Sequence, residues 1–183
     1  MQMAGLIEKL VHYQKKRYSK GARISLTILF PVLFMLYLAV AVLPAYLLRE
    51  WLAVPFGLGR PVRLYLGLSV AVIGLLLYLW TIVLFAKAGG TQVPLVPTQK
   101  LVTTGPYALS RNPMFTGAGI LILGVGIMLN SVSFVLLSTP VPIAYLIYIK
   151  LVEEKELEAR FGEEYVAYKK RTPFLIPWFR GKK

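Results

Sequence analysis

Residues 92–117 read QVPLVPTQKLVTTGPYALSRNPMFTG. They form the longest polar interval in a chain otherwise made of apolar runs. Turn formers recur through them: Pro94, Pro97, Gly105, Pro106, Asn112, Pro113 and Gly117. Only Lys100 and Arg111 are charged. A proline-rich connector of this length between packed segments is commonly functional. A second polar stretch, VEEKELEARFGEEYVAYKKR at residues 152–171, follows the last apolar run. Both stretches are expected on one side of whatever the apolar runs cross, and there they build the site.

The flanking runs decide the class. The chain has 183 residues, 57% hydrophobic, with a mean hydropathy of +0.64. Soluble domains hold about 45–50% apolar residues, so the chain is expected to be an integral membrane protein of all-α class. Residues 1–183 are read as one membrane domain. Residues 24–48 carry no charge and suffice for about 30 Å of hydrocarbon, with Pro31 and Pro44 as kinks that membrane helices tolerate. Residues 62–86 form a second run. Residues 114–129 are apolar but short, and Gly117, Gly119, Gly124 and Gly126 let helix backbones approach closely. After a tight turn at Asn130–Ser131, residues 132–152 run back, with kinks expected at Pro140 and Pro142. About four spans follow: two in residues 22–90, and a helical hairpin in residues 91–183, the catalytic half. Residues 1–21 place Leu6, Ile7, Leu10, Val11 and Tyr18 near one stripe, an amphipathic helix on the membrane surface. The single histidine, His12, sits there as an interfacial side chain.

The net charge is +13, with no Asp and no Cys. Absence of Cys excludes disulfides, thiolate nucleophiles and thiolate metal sites, and no metal is expected. On a membrane protein the basic excess points to topology and to anionic phospholipid headgroups rather than to nucleic acid. Lys and Arg number six before the first run, three after it, three in residues 87–111, none at the hairpin turn and nine from Lys150 onward. The positive-inside bias therefore puts both termini and the polar loop in the cytoplasm.

Six of the eight acids lie between Glu153 and Glu164. Glu153 and Glu154 come where the last span meets the cytoplasm, and acids at a membrane edge need pairing or solvation. They are candidates for function. Glu156, Glu158, Glu163 and Glu164 are expected on the solvated face of a C-terminal cytoplasmic amphipathic helix, with Glu156 and Arg160 as an i,i+4 pair and Leu157, Phe161, Tyr165 and Tyr168 as its apolar stripe. At the other stretch, Asn112 and Pro113 are good helix-start residues. A helix start offers free N–H groups to an anion, and Arg111 beside it can fork a carboxylate. A carboxylate binder near Arg111 and an ammonium binder at Glu153 together suit an amino-acid-like ligand.

LVTTGPYALSRNPMFTG followed by VEEKELEARFGEEYVAYKKRTPFLIP resembles the membrane methyltransferases of the isoprenylcysteine carboxyl methyltransferase and phospholipid (phosphatidylethanolamine N-) methyltransferase group. The resemblance covers residues 92–178. It implies S-adenosylmethionine as methyl donor, S-adenosylhomocysteine as product, and a lipid or lipid-like acceptor drawn from the bilayer. Carried over by position, cofactor contacts fall on Gln92, Gln99, Lys100, Leu101, Val102, Gly105, Tyr107, Asn112, Pro113, Met114, Phe115 and Glu153. Arg111, Glu154 and Tyr107 are the candidates for the reacting end. The family's usual His before Pro113 is Asn112 here. The Arg that the isoprenylcysteine branch carries one turn before its cofactor Glu is Ile149, with Lys150 adjacent. The acceptor stays open among phospholipid amines, isoprenoid or prenylcysteine-type carboxylates and thiols. Two other readings compete with an enzyme of this kind. A non-enzymatic carrier or channel component explains the spans but not the paired motifs. A sterol-reductase-like enzyme needs a nicotinamide site, and the chain has no glycine-rich dinucleotide fingerprint.

Overall fold

A computed structural model describes residues 20–47, 55–89 and 98–175, the first five of these by backbone alone. The surface helix expected in residues 1–21 therefore lies almost wholly outside the described residues. Those that are described are helical and contain no strand.

Helix α1 runs Lys20–Leu47 and α2 runs Arg60–Lys87. Each is long and apolar enough to cross a membrane. Pro31 and Pro44 lie inside α1 without ending it; each removes one backbone donor. Helix α3, Pro113–Leu129, has 17 residues and reaches about 26 Å at 1.5 Å per residue. It is shorter than α1 and α2, as its sequence implied. A left-handed Asn130 (φ 54°) ends it. Ser131 then caps the next helix, its hydroxyl accepting from the Phe134 N–H at 3.0 Å.

The return path is less simple than one kinked span. It consists of α4 (Val132–Ser138), α5 (Pro140–Tyr148), a π-helical turn (Ile149–Glu153) and α6 (Glu154–Phe161). Pro140 opens α5 at the first helical position, where a missing N–H costs nothing. Together these pieces form the third stretch long and apolar enough to span. Gly162, at φ 56°, then breaks the C-terminal helix and α7 (Glu163–Arg171) follows. One amphipathic helix was expected there; a positive φ that favours glycine makes it two.

The chain forms two compact units, each built from separate stretches. One comprises residues 31–80 and 114–145. Its core is Leu38, Ala41, Ala45, Ala71, Leu121, Ile122 and a fully buried Phe134. Here α2 and α3 touch backbone to backbone. A Cβ on Gly74 would strike the Leu121 N–H, one on Gly124 would strike Ala71, and one on Gly117 would lie 2.8 Å from the Tyr78 nitrogen. Close approach of this kind supplies the van der Waals contact that joins helices in lipid, where no hydrophobic force acts between them. Tyr78 is buried and packs against Phe34, ring centroids 5.1 Å apart. Leu36, Leu43, Ile73 and Leu76 point outward, an apolar surface suited to acyl chains. The Phe56 N–H donates to the Asn130 side chain at 3.1 Å, so the loop before α2 and the hairpin turn meet at one end of this unit.

The other unit comprises, among the described residues, 20–30, 81–89, 98–113 and 146–175. It holds nearly all the polar residues singled out above.

The glycine seam yields a test. Gly74→Val should lower stability by roughly 1–3 kcal/mol or more, because backbone atoms cannot step aside. Gly119 has open space around it, so Gly119→Ala should leave stability unchanged or slightly raised. Thermal unfolding of the two variants in detergent checks this.

Candidate active site

The polar loop is tied down where it re-enters the described residues. The Gln99 N–H donates to the Ala88 carbonyl at 3.0 Å, just past the end of α2. The Thr98 carbonyl accepts from Arg160 Nη2 at 2.6 Å. Gln99 and Lys100 are exposed, and Leu101 and Val102 are half-buried. Gly105, at φ 60°, then opens a single 3-10 turn, Gly105–Ala108. A side chain would strain that backbone, so glycine is needed there.

The turn drives Tyr107 inward until it is 4% exposed. Its ring stacks on Phe85 at 5.3 Å, and its carbonyl accepts from the Tyr168 hydroxyl at 2.7 Å. Burial holds the Tyr107 phenol well above the usual tyrosine range; the charges of Tyr168 and Glu153 push it further, and the neighbouring Thr81 side chain offsets part of this. The phenol is thus a proton donor at neutral pH and cannot act as a base. Burial likewise raises Tyr165 and Tyr168. A third consequence is spatial: Glu153 lies within electrostatic reach of Tyr107.

The far end of the loop is held by the chain that follows α7. The Arg111 N–H donates to the Pro173 carbonyl at 2.9 Å. The Asn112 side-chain amide donates to the Phe174 carbonyl at 2.9 Å, and Ser110 Oγ reaches the same carbonyl at 3.4 Å. Asn112, standing where the family usually has His, is thereby committed to the backbone of this returning segment.

Arg111 turns away from any free anion. Its Nη1 lies 2.5 Å from Glu154 Oε1, with the two side chains 8% and 3% exposed. The second oxygen of Glu154 takes Lys169 at 3.2 Å and Lys150 at 3.5 Å. Lys169 also holds Glu158 at 2.7 Å, and these partners raise its pKa above the ordinary lysine value, burial opposing them only in part. Lys150 and Arg111 both sit over the Phe174 ring, at 4.8 and 5.6 Å. Burial of a carboxylate at this depth is tolerable only with such pairing.

Glu153 behaves differently. It closes the π-helical turn, in which the Glu154 N–H reaches back five residues to the Ile149 carbonyl. Turns of this type occur often at functional sites. Glu154, Glu156 and Glu158 are all ion-paired, whereas Glu153, half-buried, has no ion pair among the described residues.

Several sequence expectations meet the geometry unevenly. Glu163 and Glu164 are exposed as expected. Glu156 is not: it is 2% exposed, paired with Arg160 at 3.1 Å. The i,i+4 spacing was legible, but the solvated face was wrong because Arg160 carries Glu156 inward against the loop. Gln92 lies outside the described residues. Met114 and Phe115, in the first turn of α3, belong to the first unit described; Met114 is buried and Phe115 stacks on Tyr145 at 5.5 Å. Sequence reasoning missed Lys169 and Phe174. Three basic residues follow Tyr168, and nothing in the pattern marks Lys169 as the one turned inward.

Known proteins match the same segments. A family profile described as phospholipid methyltransferase matches residues 62–164, more than half of the chain. The protein-S-isoprenylcysteine O-methyltransferases of Mus musculus and Rattus norvegicus are each 36% identical over 89 residues. The same identity over the same length holds for the Homo sapiens protein of that name. The matched segment is 47% of this chain and spans only 30% of each relative's length. With a match over both α2 and the whole loop-to-α6 region, the chain belongs to the phospholipid methyltransferase family.

Proposed function

We propose that the protein is an S-adenosylmethionine-dependent methyltransferase, acting on a lipid or lipid-like acceptor at the cytoplasmic face of a membrane. The observation that carries this reading is Glu153: a half-buried carboxylate beside the polar loop, without an ion pair among the described residues, next to three acids that all have one. Such a group suits the α-ammonium of an amino-acid-like ligand. Family membership directs that ligand to the methyl donor, and the names of the relatives support an acceptor of lipid character.

The donor set fits the group. Glu153 would hold the ammonium. Gln99, Lys100, Leu101 and Val102, at the tied end of the loop, would hold it from the loop side, with Gln92 and Gly105 on the same connector. Tyr107 lies within electrostatic reach of Glu153, and an electron-rich ring attracts cations. Asn112 and Pro113 would contribute from the start of α3, whose first N–H groups favour a carboxylate. When bound, S-adenosylmethionine supplies an activated methyl on sulfur, which passes to the acceptor by direct displacement and leaves S-adenosylhomocysteine.

The protein's share is alignment rather than covalent chemistry. Arg111 and Glu154 act as a linked pair that fixes the end of the loop against α6. Both oxygens of Glu154 are engaged by cations, so it is poorly placed to take a proton. Tyr107 stays neutral. With Glu153 given to the donor's ammonium, no carboxylate is left over as a base, which favours an acceptor that arrives deprotonated, such as a carboxylate, or an amine that loses its proton to water. Water exclusion by the loop limits hydrolysis of the donor. The basic residues of α7 would rest against anionic headgroups.

The orientation has a direct check. Phe56 and Asn130 meet, so the loop before α2 and the hairpin turn should share the non-cytoplasmic side. In this Cys-free chain, Gly59→Cys should be labelled only from outside and Thr104→Cys only from the cytoplasm. Labelling of both from one side would overturn the arrangement.

Two substitutions separate the acids. Glu153→Gln should weaken S-adenosylmethionine binding by about 1.5–3 kcal/mol, roughly ten- to a hundredfold, with the fold intact. Calorimetry measures it, and unchanged affinity removes Glu153 from the site. Glu154→Gln should instead cost about 3–5 kcal/mol of stability, since Arg111 is left buried without a partner. The shape of its pH–rate profile should not change. A displaced profile in a protein of normal stability would make Glu154 the base.

A further inference from the structure

We infer that Glu156 and Arg160 are positioning residues that set the cofactor-binding loop, a role that rests on the methyltransferase reading above. Arg160 divides its guanidinium. Nη1 donates to Glu156 Oε1 at 3.1 Å, and Nη2 donates to the Thr98 carbonyl at 2.6 Å. Glu156 is 2% exposed and Thr98 is buried. The guanidinium also lies over the Phe161 ring, 4.9 Å from its centroid. A planar fork with fixed donor directions is therefore locked on one side by a buried carboxylate and on another by a ring. A second donor, on Nη2, points at one backbone oxygen, immediately before Gln99, Lys100, Leu101 and Val102.

The loop is held from the opposite side as well. The Gln99 N–H is bonded to Ala88, and a Cβ on Gly89 would approach Gln99 Oε1 to 3.3 Å. Residues 98 and 99 are thus clamped between the end of α2 and Arg160. The four residues that follow make no backbone hydrogen bond outside helices among those described, so their course is set by this clamp and by the turn at Gly105.

Glu156 has a second effect. Arg160 lies within electrostatic reach of Glu153, and so does Glu156, with the opposite sign. Pairing with Glu156 keeps Arg160 occupied and leaves Glu153 for a ligand ammonium. Glu156 and Glu153 are both acids within four residues of each other, yet one neutralises the arginine so that the other need not. Lysine at 160 would carry the charge but lacks the two-pronged geometry.

The test uses the full chain in detergent, with S-adenosylmethionine as the probe and two conservative variants, Arg160→Lys and Glu156→Gln. Calorimetry reads donor affinity, and amide hydrogen exchange without ligand reads the loop. Arg160→Lys should lose ten- to a hundredfold in affinity, and Glu156→Gln three- to tenfold. Exchange should quicken more than tenfold at Gln99, whose N–H is bonded to Ala88, and stay unchanged across the α2–α3 glycine seam. In turnover, KM for the donor should rise while kcat at saturating donor stays within about twofold. Exchange that quickens everywhere would mean a merely structural role and overturns the inference. Wild-type binding with unchanged affinity and loop exchange in both variants also overturns it, leaving the methyltransferase reading standing. No binding by the wild type overturns that reading, and the inference with it.

Discussion

A carboxylate that leaves water must find a cation, and the polar unit is arranged around that requirement. Glu154 is almost wholly buried and takes Arg111 from the loop, Lys150 from the π-helical turn and Lys169 from α7. Three separate stretches of chain converge on one side chain. None of the bonds is optional, because a buried charge without a partner costs more than the fold can spare. The loop's far end, the exit of the last span and the C-terminal helix thereby take fixed places with respect to one another. Glu156 repeats the device on a smaller scale with Arg160 and Thr98.

The apolar unit obeys a different rule. It has no buried charge to satisfy among its described residues, so its helices associate by closeness alone. Gly74, Gly117 and Gly124 remove side chains where α2 and α3 meet, and the outward residues stay large and apolar. One unit is thus organised by electrostatics and the other by shape.

The sequence made the long helices legible because uninterrupted apolar runs admit few alternatives. Asn130–Ser131 was equally plain, since left-handed turns and caps use those residues. The site was legible in parts. The spacing of Glu156 and Arg160 announced a pair, but not that both turn inward, because an i,i+4 pattern looks the same on a solvated face and a buried one. The π-helical turn left no trace: one extra residue in a helix shifts the following face by about 100°, and apolar residues on all sides hide that shift. Phe174 was invisible because its carbonyl, not its side chain, receives Asn112.

The bonds from Asn112 and Ser110 to Phe174, and from Arg111 to Pro173, impose an order in time. Chains fold as they are made, from the N-terminal end. The spans can enter the bilayer and the glycine seam can close while the segment after α7 is still being synthesised. The loop cannot settle until that segment arrives, more than sixty residues after the positions it secures. During that interval a nascent chain is already a membrane protein but its polar loop has no fixed end. The last described turn of the polypeptide acts as the clasp on a site whose other parts were threaded long before.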